Sequence, residues 1–224
     1  MATGDRWLDA IWLLVQARLP APPARVIDIG CGRLGGFVPF LRSGGYEAVG
    51  VDPEAPDATH YHRVKFEDLD LPVSFDAAIA STSLHHVTDP ARVIEQLTGT
   101  LTSGGAFVVV EWDWEKFDDG TAQWCFQRLG EEDHANWLHR RRNDWAASGQ
   151  AWEPYLRDWA TREGVHRGEA LLQLLDEHFE RRLLAHGPFF FPDLAANITE
   201  SDEQAAIDAG AIQANRIDWV GALP

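Results

Sequence analysis

The segment VIDIGCGRLGG, residues 26–36, sets an acid, Asp28, two positions before the first of three glycines, Gly30, Gly32 and Gly35. An apolar run ending in a glycine-rich turn is how a chain opens a nucleotide cradle, because glycine tolerates the turn and lets a ligand approach the backbone closely. The spacing Gly30-x-Gly32-x-x-Gly35 satisfies the dinucleotide fingerprint, and Asp52 falls close to the ~20 residues further on expected of a ribose-binding acid. Asp28 changes the ligand that such a turn suits. A pyrophosphate on the turn's N–H groups would be repelled by an adjacent carboxylate, whereas a phosphate-free adenosine carrying positive charge would be attracted.

S-adenosylmethionine has a ribose, an adenine, an ammonium group and a sulfonium, and so meets that description. Methyl transfer from a sulfonium is an in-line displacement. Holding the reactants in attack geometry away from water supplies most of its rate when the nucleophile is already reactive. A base is needed only where an oxygen or nitrogen must lose a proton. His85 and His86, in SLHHV, are the first candidates for that base, with Glu111, Asp113 and His186 behind them. The other histidines make no metal set. His60 and His62 straddle one residue, His134 and His139 are five apart, and neither pair has a tightly spaced third ligand, so no metal is expected.

These residues resemble a known family. VIDIGCGRLGG looks like the first motif of the class I S-adenosylmethionine-dependent methyltransferases, an acid followed by G-x-G. VGVDPE is similar to that family's second strand, which implies that Asp52 grips the two ribose hydroxyls with Pro53 near the adenine face. FEDLDLPVSFDAAIASTSLHHV resembles the stretch from the third strand through the fourth. There the resemblance implies an acid on the adenine amino group, Glu67 or Asp68, with Glu67 the first choice by spacing. Ser81, where the fourth strand ends, would line the ligand, and LTSGGAFVVVEWDW resembles the G-G turn and fifth strand. The match covers residues 20–115. ASTSLHH lacks the N-P-P-[YF] type of segment that family members use to hold a planar amide or adenine amino group, so a small-molecule acceptor is implied. Two competing readings use the same fold: an NAD(P)-dependent oxidoreductase, and a cofactor-binding regulator without transfer activity.

Positioning these residues takes strands that end together at one edge. β-rich runs over residues 25–29, 46–51, 63–66, 75–80 and 106–111 alternate with helical stretches, which predicts a parallel sheet. In TDPARVIEQLTGTL, Asp89 is a plausible N-cap and Pro90 stands at the first helical position. Residues 112–178 contain no strand pattern and read as three or four helices, with breaks near 131–133, 148–150 and 163–168. Seven of the ten tryptophans lie there. The sheet resumes within 178–194 and finishes within 212–223. With the resemblance, this implies an α/β, doubly wound, mostly parallel seven-stranded Rossmann-like sheet with an antiparallel last strand and a helical insertion after the fifth strand. We expect one domain over 1–224, an N-terminal helix over 1–20, and the 112–178 block as a lid above the strand C-terminal ends. Trp112 or Trp114, directly after the fifth strand, is expected to build an apolar or aromatic acceptor pocket. Arg140, Arg141 and Arg142 read as a solvated helix face.

Bulk composition narrows the partners. The 224 residues are 45% hydrophobic, enough for a sizeable core. Nineteen Lys and Arg stand against thirty-five Asp and Glu, a formal net charge of −16 that repels phosphate backbones and anionic membranes. A small-molecule acceptor, no nucleic acid, no membrane, and a monomer or homodimer are therefore expected. Asp9, Gln16 and Arg18 make the first twenty residues an amphipathic helix rather than a secretory signal. With only Cys31 and Cys125, the expected compartment is a reducing cytoplasm.

Overall fold

A computed structural model describes residues 3–71 and 73–224. Strands β1 (Arg25–Ile29), β2 (Glu47–Val51), β3 (Tyr61–His62), β4 (Phe75–Ser81), β5 (Leu101–Trp112), β6 (Glu180–Gly187) and β7 (Arg216–Ala222) form one sheet in the order β3-β2-β1-β4-β5-β7-β6. β1 to β5 run parallel to one another, and β7 runs antiparallel to both β5 and β6. β1 has β2 on one side and β4 on the other, so the strand order reverses there and opens a crevice above the C-terminal ends.

Helices α1 (Thr3–Gln16), α2 (Val38–Ser43), α3 (Pro90–Thr100), α4 (Asp119–Phe126), α5 (Trp137–Ser148), α6 (Trp152–Glu163), α7 (Gly168–His178) and α8 (Glu200–Asp208) surround the sheet. Alternation along the strands divides the core in two. Val26, Val108 and Val110 pack with Ile11 and Val15 of α1 and Leu41 of α2, while Ile27, Ile29, Phe107 and Val109 pack with Val93 and Ile94 of α3 and Leu171 of α7. Asp89 caps α3 by accepting the Arg92 N–H at 3.1 Å, and Pro90 follows where no N–H is missed. Among the described residues no helix is long and apolar enough to cross a membrane.

Element boundaries differ from expectation in instructive places. The N-terminal helix, expected over 1–20, runs Thr3–Gln16 and closes through an Ala17 N–H to Leu13 carbonyl bond; residues 1 and 2 lie outside those described. The third strand is not Arg63–Phe66 but the two residues Tyr61–His62. It is an edge strand, held by backbone pairing to Gly50 and Val51, and Phe66 turns away from it into the core on a 3-10 turn at Phe66–Asp68. β2 begins at Glu47, because the Tyr46 N–H is taken by the Leu41 carbonyl at the end of α2. β4 and β5 each run one residue further than expected, to Ser81 and Trp112, and β5 starts earlier, at Leu101.

Between β5 and β6 the chain builds α4 to α7, with gaps at 127–136, 149–151 and 164–167. This block has its own core, in which Phe117, Leu138, Trp152 and Trp159 pack with Phe190 from beyond β6. The loop carrying Phe190 is held by Glu203 of α8, which is fully buried. Its Oε1 accepts the Phe189 and Phe190 N–H groups at 2.7 and 3.1 Å, and its Oε2 accepts that of Phe191 at 2.7 Å. Glu203→Ala strands three N–H groups, two of them buried, and should lower stability by about 3–5 kcal/mol. In differential scanning calorimetry that corresponds to a midpoint about 10 °C lower for a chain of this size. Glu203→Gln keeps one acceptor oxygen and should lose about half as much.

Candidate functional site

The crevice at the head of β1 is shaped by two glycines with different duties. Gly30, at φ +77°, donates its N–H to the Val51 carbonyl at 2.8 Å, and a Cβ there would run into the Ser83 side chain. Gly32, at φ +63°, has no protein atom within 4 Å of where a Cβ would stand, so the protein's own packing leaves that space open. Gly30 and Gly32 line a cavity of about 420 Å³ together with Asp52, Pro53, Lys65 and Glu67. Asp52, at the end of β2, accepts the Glu54 N–H on Oδ1 at 2.7 Å, which sets the carboxylate at the cavity rim. Glu67 faces the same cavity, whereas Asp68 pairs with Arg92 of α3 at 3.1 Å. A neighbouring hollow of about 280 Å³ is lined by Asp28, Gly32, Ser81 and Thr82, with Trp7 of α1 over it.

Asp28 is 2% exposed, and its Oδ2 accepts the Phe37 N–H at 2.7 Å where α2 begins. Burial pushes its carboxyl up to about 7; the Phe37 bond opposes this and Asp52 adds to it. Gly35 lines none of these spaces. A Cβ on it would collide with the Tyr61 ring, so its lack of a side chain serves packing.

A second assembly lies at the end of β4. Thr82, β-branched yet at φ +50°, donates its N–H to the Val110 carbonyl at 2.8 Å. A non-glycine residue there stores about 1–3 kcal/mol of strain. The following turn is anchored by Glu111 of β5, 1% exposed, whose Oε1 accepts the N–H groups of Ser83 at 2.8 Å and Leu84 at 2.6 Å. Its Oε2 receives the Nδ1–H of His85 at 2.5 Å. Glu111 therefore answers backbone and imidazole donors at once, and His85 is left with Nε2 as its second ring nitrogen. The His86 ring lies 4.1 Å from that of His85, and burial together with its neighbour holds His86 down to about 4. It is neutral at physiological pH.

His85 and His86 line a chamber of about 350 Å³ roofed by Trp7 of α1, Trp112 of β5 and Trp137 and Trp159 of the helical block, with Phe189 and Asp193 closing it. Trp112 reaches this space. Trp114 does not: it is buried under the helical block and donates Nε1–H to the His166 carbonyl at 3.1 Å. Asp113 and His186 face a separate hollow beside Lys116. Arg141 stacks on Trp159 and pairs with Asp144, Arg142 bonds Asn143, and Arg140 donates to the His134 and Ala135 carbonyls. Sequence reasoning missed Trp7, Thr82, Trp137, Trp159, Phe189 and Asp193. Only the FFF run at 189–191 offered a signal, as bulky rings just past a strand end. Among the described residues no three His, Cys, Asp or Glu side chains converge as a metal set.

Comparison with known proteins bears on this arrangement. A family model described as a methyltransferase domain matches residues 5–178. A ubiquinone biosynthesis O-methyltransferase of Bradyrhizobium sp. (strain ORS 278) is 28% identical over 137 residues, covering 54% of this chain and 51% of that protein. The chain thus spans about half the length of the curated relatives it matches. Among solved structures, an S-adenosylmethionine dependent methyltransferase from Mesorhizobium loti superposes with a TM-score of 0.59 at 23% identity, covering 96% of this chain and 99% of that one. The Burkholderia thailandensis 1,6-didemethyltoxoflavin-N1-methyltransferase, solved with its substrate and S-adenosylhomocysteine, gives 0.54 at 15% identity, covering 99% and 78%. These likenesses establish the fold.

The His85–Glu111 contact makes a spectroscopic prediction. Long-range proton–nitrogen NMR at neutral pH should find His85 as the Nδ1–H tautomer, and Glu111→Gln should convert it to a mixture while shifting the Ser83 and Leu84 amides. An Nε2–H tautomer in the unaltered protein would contradict the geometry.

Proposed function

This chain belongs to the methyltransferase-domain family, and within it we propose that it moves the methyl group of S-adenosylmethionine onto an oxygen or nitrogen of a small organic acceptor. The observation that carries this reading is the junction of the two spaces. The glycine-lined cavity and the aromatic chamber share Thr82 and His86, with the His85–Glu111 pair on the chamber side. A donor on one side and an acceptor on the other would meet there, away from bulk water.

The lining fits the cofactor. Asp28, Asp52 and Glu67 face the two spaces beside β1, and Lys65 and Arg33 are their only Lys or Arg. A pyrophosphate would meet those carboxylates, whereas a cationic nucleoside is drawn to them. Asp52 would hold the ribose hydroxyls and Glu67 the adenine edge. Gly30 and Gly32 would let the nucleoside lie against the backbone, with Asp28 and Ser81 toward the ammonium end. When bound, the cofactor supplies a methyl carbon whose bond to sulfur breaks, leaving the electron pair on sulfur. The chain's own part is to orient the acceptor by its aromatic walls, exclude water, and take the acceptor's proton on His85 Nε2. Glu111 holds that ring and answers the charge it gains. A nicotinamide reading has no comparable support, since it would set phosphates beside Asp28.

Three measurements test this reading. Calorimetry should show S-adenosylhomocysteine binding that Asp52→Ala weakens at least about tenfold, a change in scale with loss of a charge-assisted hydrogen bond. Tight NADH binding in its place overturns the assignment. Because the free Asp28 carboxyl sits at about 7 and a cationic ligand favours its ionised form, affinity should rise as pH increases through that value. Binding should release a proton in the same window, and Asp28→Asn should flatten the dependence. In a screen of phenol and amine acceptors read by S-adenosylhomocysteine release, His85→Gln should lower kcat by about 10²–10⁴-fold with cofactor affinity unchanged.

A further inference from the structure

Resting on the reading of the chamber as the acceptor site, we propose that the acceptor carries a basic nitrogen, its ammonium held between the tryptophan walls and the Asp193 carboxylate. Among the described residues, five of the ten lining the chamber are Trp or Phe and none is Lys or Arg. The walls meet at steep angles: Trp112 and Trp137 at 78° with centroids 5.1 Å apart, Trp137 and Trp159 at 72° and 5.6 Å, Trp7 and Phe189 at 64° and 5.0 Å. These pairs meet edge to face, and a cation lying against an indole or phenyl ring is attracted through the ring quadrupole, more strongly once it has shed water. Trp159 already takes a cation outside the chamber, where the Arg141 guanidinium lies 5.2 Å from its ring centroid.

Asp193 supplies the fixed counter-charge. It forms no ion pair among the described residues, and its Oδ1 receives only the edge of the Asn136 amide at 3.5 Å. Arg6 and Arg140 act on it through space and oppose the effect of burial, but their hydrogen bonds go to carbonyl oxygens and neither pairs with it directly. Arg6 donates to the carbonyls of Phe191, Pro192, Leu194 and Ile198, and Arg140 to those of His134 and Ala135. Burial pushes the Asp193 carboxyl up to about 6, against the opposing pull of Arg6 and Arg140. His86, neutral down to about 4, adds no opposing positive charge. A neutral acceptor brings the Asp193 carboxylate no ion pair and an anionic one repels it, whereas an ammonium pairs with it directly.

The test is a charge series on one ring. The full chain, saturated with S-adenosylhomocysteine, is titrated by calorimetry with phenethylamine, 2-phenylethanol and phenylacetate at about pH 8, where Asp193 is ionised and an aliphatic amine is still protonated. Phenethylamine should bind at least about tenfold tighter than the alcohol, with the carboxylate weakest. Asp193→Asn should bring the amine to within about twofold of the alcohol and leave S-adenosylhomocysteine affinity as it was. Equal affinities, a preference for alcohol or carboxylate, or no amine binding overturns the proposal, and the unaltered protein alone decides this should the variant fail to fold. Failure to bind S-adenosylhomocysteine, read in the same instrument beforehand, instead overturns the methyl-transfer reading beneath it.

Discussion

Glu111 stands at the penultimate position of β5, buried, and the working edge of the sheet is organised around its two oxygens. One takes the Ser83 and Leu84 N–H groups and so fixes the turn that leaves β4; the other takes His85 Nδ1. A carboxylate removed from water is tolerated only when its lone pairs are answered this fully. The same bonds hold Thr82 in a conformation that a β-branched residue avoids, at φ +50°. That strain is sustained because β5 grips the turn on both sides of it, through the Val110 carbonyl and through Glu111. Thr82 in turn lines all three spaces around the site. Backbone strain and a buried acid are thus two parts of one device, which sets the boundary between the two spaces and holds the His85 imidazole on its chamber side.

Acids outnumber lysines and arginines around that boundary. Asp28, Asp52 and Glu67 face the spaces beside β1, and Asp193 faces the chamber. Each is half-buried or deeper, so water screens them less than it would at an open surface. Arg92 is paired with Asp68, and Arg6 and Arg140, whose hydrogen bonds go to carbonyl oxygens, act on Asp193 only through space. The local arrangement therefore repeats, at higher effective strength, the excess of acids seen across the whole chain.

Much of the scaffold was legible because it rests on local rules. Short β-rich runs announced β1, β4 and β5, and Asp89 with Pro90 announced α3. β3 was misplaced because a two-residue edge strand is defined by backbone pairing to β2, which leaves almost no side-chain pattern. The choice between Glu67 and Asp68 was open in sequence, since both stand in one 3-10 turn; Arg92, two dozen residues later, draws Asp68 toward α3. The spaces beside β1 are lined, Trp7 and Leu8 apart, by residues between 28 and 93, within reach of motif reading. The chamber draws on Trp7, the 82–86 turn, Trp112, the helical block and residues 189–193. No periodicity brings such distant residues together, because their meeting is decided by how α1 and the helical block dock on the sheet.

That docking makes the first helix part of the site. Trp7 lines both the chamber and the hollow beside Asp28, and its Nε1–H reaches the Ser81 hydroxyl at 3.1 Å. One residue earlier, Arg6 binds four carbonyls of the segment that carries Asp193. α1 therefore joins the end of β4 to the chamber's far wall, across contacts of up to 192 residues in sequence separation. Excluding water from both spaces then depends on a single helix seating correctly. The sheet supplies the orientation of a reaction of this kind, and its dryness is supplied by elements that carry no recognisable motif.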